Sequence, residues 1–97
     1  MTKPLESATE RKFRLAIRRA GGQCIKIIPS EGGLPDRLVL LPGGRIRLVE
    51  LKRDPTSRIR PDQEVFAARA KLLGIDVAFL GGWDTCRSWL ASEGIVS

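Results

Sequence analysis

The chain has 97 residues, 42% of them hydrophobic and 29% charged, which fits one compact α/β-sized domain spanning 1–97. It contains no His, and Cys24 and Cys86 belong to no CxxC pair, so Cys/His zinc sites, disulfide scaffolds and His-based catalysis are excluded. The net charge is +6, and the 17 Lys and Arg are mostly Arg, whose planar fork suits phosphate and draws a basic domain to nucleic acid.

Glu6 to Ala20 reads as an amphipathic helix, with Thr9, Phe13, Ala16, Ile17 and Ala20 on one face. Gly21-Gly22 ends it. Gln23 to Ile28 is β-rich and stops at Pro29. A loop with a Gly pair leads to Arg37–Leu41, apolar after its Arg as a central strand would be. Pro42-Gly43-Gly44 is a hairpin turn into a third strand, Arg45 to Arg53. After a basic loop, Pro61 opens a second helix with Asp62 and Glu64 in its first turn; it runs to about Leu73. Ile75 to Leu80 is a short strand, and Asp84 or Thr85 can cap a last helix. The expected order is α-β-β-β-α-β-α, a mixed four-stranded sheet flanked by helices, its last strand parallel to a neighbour. No apolar run approaches the roughly 20 residues of a membrane span, and no signal-peptide core opens the chain. A cytosolic protein is expected.

The chemistry-bearing residues gather at one end of the hairpin. Glu50 and Lys52 lie two apart on strand three and so share a face. Asp36 precedes strand two, six residues before Pro42, and Glu50 lies six beyond Gly44. An antiparallel hairpin therefore brings both carboxylates to the same end of adjacent strands. Two such groups repel, and a divalent cation relieves them; an oxygen-rich set suits Mg²⁺ or Mn²⁺. Projected at about 100° per residue, Glu6, Glu10, Phe13 and Ile17 form one helical stripe, with Glu6 nearer the centre of the apolar arc. Both Glu also suit a first turn facing the helix dipole. Arg37, Arg53, Arg58 and Arg60 are candidate phosphate contacts, or plain solvated charges.

Gly33-Leu34-Pro35-Asp36, a hairpin, then Glu50-Leu51-Lys52 resembles the PD-(D/E)xK nuclease signature. The finer pattern is similar to the VRR-NUC (virus-type replication-repair nuclease) family. It adds Glu6-Ser7-x-x-Glu10, Lys26, Gly43-Gly44-Arg45, Gln63 and Leu73-Gly74-Ile75-Asp76-Val77. The likeness covers Glu6 to Leu80. It implies a restriction-endonuclease-like core and a metal-dependent DNA phosphodiesterase. In that scheme Asp36, Glu50 and the Leu51 carbonyl hold Mg²⁺ or Mn²⁺, and Glu6 or Glu10 completes the shell. Lys52 positions or activates water and stabilises phosphate charge, and Gln63 orients Lys52 or the nucleophile. Lys26 touches substrate or a carboxylate. Stand-alone relatives of this size resemble phage or bacterial homodimers that cut branched DNA, four-way junctions among them. A flap-cutting or site-specific nuclease of the same superfamily and a non-catalytic DNA-binding module are the competing expectations. The second would have lost Asp36, Glu50 or Lys52.

Overall fold

The computed structural model describes residues 6–28 and 30–96; Pro29, read above as a strand stop, lies outside them. The elements are α1 (Ala8–Arg19), β1 (Gln23–Lys26), β2 (Arg37–Leu41), β3 (Arg45–Lys52), α2 (Pro61–Leu72), β4 (Val77–Gly81) and α3 (Gly82–Ser92). The order is the α-β-β-β-α-β-α expected.

Helix α1 begins where Ser7 caps it: the Ser7 hydroxyl accepts the Glu10 N–H at 3.1 Å. Glu6 therefore precedes the cap, and projecting it onto the helical stripe does not hold. Phe13, Ala16 and Ile17 recur at helical spacing and are buried, and the two large side chains contribute about 1.5–3 kcal/mol each. Other boundaries move: β1 ends at Lys26 rather than at Ile28 before Pro29. β4 starts at Val77 rather than Ile75. α3 starts at Gly82, ahead of Asp84 and Thr85, with Gly81 in the cap position and no capping side chain. The chain turns there directly from strand into helix.

The sheet order is β1-β2-β3-β4. β1–β2 and β2–β3 are antiparallel; β3–β4 is parallel, as a helical crossover allows. Pairing runs from Arg37↔Val49 to Leu41↔Arg45, and from Leu48↔Val77 to Lys52↔Gly81. Partners across a sheet share a face, which sorts the side chains. Val39, Leu41, Val49 and Leu80 face α1 and α3, and with Phe13, Ala16, Ile17, Cys86, Leu90 and Ile95 they make the core. Arg45 and Arg47 share that face and are held by Glu93 at the end of α3.

Glu50 and Lys52 belong to the other face, with Ile46, Leu48, Val77 and Phe79. Helix α2 lies over this face and turns Gln63 and Ala70, seven residues apart, toward the sheet. Ile46 stays exposed, so the apolar stripe behind Glu50 is only partly covered. Cys24 and Cys86 are free thiols, and burial pushes each up to about 11, which keeps them unreactive. Among the described residues no helix is long and apolar enough to cross a membrane.

Candidate active site

The β2–β3 ladder ends at Arg37↔Val49, so the next residues outward, Asp36 and Glu50, meet. They interlock by main chain and side chain. The Asp36 N–H donates to Glu50 Oε1 at 3.0 Å, and the Leu51 N–H donates to Asp36 Oδ1 at 3.0 Å. Each carboxylate thus has one oxygen fixed by backbone and one left for other partners. Glu50 is buried to 9% exposure, while about a third of the Asp36 side chain reaches solvent.

Lys52 follows on the same face. Its Nζ lies 3.6 Å from Glu50 Oε2 and donates to Gln63 Oε1 at 2.7 Å. Gln63 Oε1 also accepts the Arg60 N–H at 3.1 Å, which ties it to the start of α2. Gln63 is 2% exposed and holds the amine in place. A buried amide whose oxygen is held from two sides is rigid, which suits a group that positions others.

Charge is poorly compensated here. Burial, then the neighbouring Asp36 charge, raises the Glu50 carboxyl above its ordinary range against the pull of Lys52 and Gln63. Asp36 is raised chiefly by burial, with the Leu51 N–H and Arg37 opposing. A carboxyl whose folded value lies above its unfolded one favours the fold when protonated. Its contribution is full below the unfolded range and is lost as pH rises through the folded value. At neutral pH the ionised Glu50 therefore works against the fold. Glu50→Gln keeps an oxygen for the Asp36 N–H and is expected to raise stability at pH 7 in EDTA by about 0.5–2 kcal/mol. The gain should vanish below about pH 4, where the unfolded carboxylate also protonates. Thermal melts across this pH range check it; an unchanged or lower Tm at pH 7 contradicts the electrostatic reading.

The helix-one acids separate. Glu10 reaches the site through Arg37: Arg37 Nη2 donates to Glu10 Oε2 at 2.8 Å, and Nη1 donates to the Asp36 carbonyl at 3.0 Å and lies 3.2 Å from Asp36 Oδ2. Glu6 instead grips Arg14 with both oxygens, at 2.9 and 3.0 Å, and that pairing lowers its carboxyl. Arg37 is 7% exposed and engaged inside the site, not displayed as a surface charge. Lys26, Arg53, Arg58 and Arg60 are exposed; Arg60 pairs with Asp62 at 3.2 Å. Sequence reasoning missed the inward role of Arg37.

Among the described residues no three Cys, Asp or Glu side chains cluster closely enough to enclose a metal by themselves. Two adjacent carboxylates, each with one oxygen that faces only a neighbouring cation, Arg37 for Asp36 and Lys52 for Glu50, still fit Mg²⁺ or Mn²⁺, because Mg²⁺ usually takes one or two carboxylates and completes its shell with water and substrate phosphate.

No family model matches the chain. It is 38% identical over 80 residues to Putative nuclease p44 of Acyrthosiphon pisum secondary endosymbiont phage 1, across 81% of this chain and 85% of that one. A solved structure described as a VRR_NUC domain matches it with a TM-score of 0.78 at 27% identity, over 87% of this chain and 90% of the other. Shared sequence and shared architecture agree with the acid–lysine geometry, and the chain belongs to the VRR-NUC nuclease family.

Proposed function

We propose that this nuclease is a Mg²⁺- or Mn²⁺-dependent endonuclease that cuts branched DNA, four-way junctions above all, as a homodimer in the cytosol of a bacterium or phage-infected host. One observation carries the catalytic part. Lys52 and Glu50 stand side by side on β3, fixed by Gln63, with Asp36 locked against Glu50. Asp36 and Glu50, with the Leu51 carbonyl, would hold the cation; Glu10 is the nearer helix-one acid to join them, since Glu6 is taken up by Arg14. A bound divalent ion would supply Lewis-acid stabilisation of the phosphate and a more acidic water. The chain's own part is positional. Lys52 places its ammonium against the charge that builds on the phosphate, or orients the attacking water. Gln63 fixes where that ammonium sits, and Arg37 bridges Asp36 and Glu10 and so orients both.

The basic surface supports a DNA substrate, with Arg53 beside Lys52 and Arg58 and Arg60 on the following loop as phosphate contacts. Lys26 on edge strand β1 is a further substrate contact. The dimer is supported by Val65 and Leu72, seven residues apart on the outward side of α2, which are 51% and 87% exposed. Exposed apolar side chains in one stripe mark a surface that a second copy can cover. Two sites related by a two-fold axis match a symmetric junction.

The test is cleavage of labelled four-way junction, flap and linear duplex with Mg²⁺ or Mn²⁺, alongside sedimentation of the free protein. Preferential junction cutting by a dimer is expected. Flap preference would reassign the substrate. Binding to every form with no cutting under either metal would favour a DNA-binding module instead.

A further inference from the structure

Lys52 lines two separate hollows. One, of about 320 Å³, lies between the start of α1 and the end of β3, with Ser7, Thr9, Glu10 and Arg53 in its wall. The other, of about 180 Å³, lies on the opposite side, toward β4 and α3. Its walls are Pro55, Ile59 and Phe79, with the Ser57 and Thr85 side chains among them. Among the described residues Lys52 is the only cation in that wall, and Asp54 adds an acid. Such a lining carries no net charge and accepts a flat, largely apolar group with polar edges.

Resting on the nuclease reading above, we infer that this second hollow receives one unstacked nucleobase next to the scissile phosphate. The size fits a single ring system: it is about six times the ~30 Å³ share of a water molecule and below the roughly 300–1,000 Å³ of drug-sized pockets. The aromatic wall is in the right place, because Phe79 pairs with Glu50 across β3–β4 and shares its face. A base on that ring lies one strand away from the carboxylates.

The hollow is also built in advance. Its loop is pinned by the Asp54 N–H to Ser57 Oγ at 3.2 Å and by the Thr56 N–H to Asp54 Oδ1 at 2.9 Å. The Asp54 backbone lies hard against Gly81, where an added Cβ would come within 2.3 Å of the Asp54 carbonyl oxygen. This arrangement accounts for a preference for branched DNA. A paired and stacked base cannot enter, whereas unstacking costs least where pairing is already broken.

The test measures binding of the non-cutting Glu50→Gln protein to four-way junctions that lack one base at a time around the branch. Stacking on an aromatic side chain is worth about 1–3 kcal/mol per base, so one abasic position should weaken binding by about 5- to 150-fold. In Glu50→Gln carrying Phe79→Leu, which keeps an apolar side chain on that face and removes only the ring, the same position should matter less than about 3-fold. Ile59→Ser, on the exposed loop, should blunt the effect likewise. A flat profile across all positions overturns the pocket, as does an equal loss with and without Phe79. Parent cutting with Mg²⁺ keeps the two questions apart: a junction that is cut while the abasic profile is flat removes the pocket and leaves the nuclease.

Discussion

Lys52→Met is expected to lower the single-turnover rate of junction cleavage by about 10²–10³-fold, the range seen when one donor to a developing oxyanion is removed. The Lys52 side chain is 14% exposed, and its apolar stem carries the ammonium to Gln63 at the start of α2. Methionine keeps that stem and removes only the ammonium. The Gln63 oxygen keeps the Arg60 N–H, so the amide stays anchored at 3.1 Å. Glu50 loses its countercharge at 3.6 Å, which pushes its carboxyl further in the direction it already leans. DNA affinity should change only a few-fold, because one of 17 basic side chains is lost. A rate within about 10-fold of the parent would remove Lys52 from the chemistry.

Gly33→Ala should have the largest effect on folding. Gly33 holds φ at +88°, a region where a Cβ costs about 1–2 kcal/mol. Here it also has nowhere to go, for the Cβ would stand 2.2 Å from the Asp62 carbonyl oxygen and 2.7 Å from its carbon. Both are backbone atoms of the first turn of α2, so either the loop or the helix must move. The expected cost is about 3 kcal/mol or more. At about 4–8 °C per kcal/mol for a domain of this size, Tm should fall by at least about 12 °C. Any shift of α2 carries Gln63 away from Lys52, so residual activity should fall beyond the folded fraction. Gly43→Ala is the control: φ is +84° there, but nothing lies within 4 Å, and the cost should stay near 1–2 kcal/mol. Equal melting shifts for the two variants would show that the loop–helix contact does not matter.

These two positions also show what the sequence makes legible. The meeting of Asp36 and Glu50 follows from counting outward from a hairpin turn, since antiparallel strands pair residue by residue. The Lys52–Gln63 contact was suggested by family resemblance and depends on α2 crossing the sheet. Parity along β2 would also have placed Arg37 inside. It lies two residues before Val39 and four before Leu41, and all three face α1 and α3. Read alone, an Arg beside an acid looks like a phosphate contact; what buries it is Glu10 arriving from α1.

Other features are harder to read from the sequence. Glu6 and Glu10 are both acids near a helix start, and only the Ser7 cap decides that one lies in the helix and the other before it. Asp84 and Thr85 are good capping residues and point past the start of α3, while the chain turns at Gly81-Gly82 with no side-chain cap. Gly33 reads as a loop residue, and its crowding against Asp62 depends on tertiary packing that no pattern within the loop records.

The most direct test of the central claim is single-turnover cleavage of a four-way junction with Mg²⁺, comparing the parent with Glu50→Gln. The parent should cut, stop when EDTA is added and recover with Mn²⁺, while Glu50→Gln binds the junction with similar affinity and leaves it intact. Undiminished cutting by Glu50→Gln, or cutting that persists in EDTA, would contradict a metal-dependent site built on Asp36, Glu50 and Lys52.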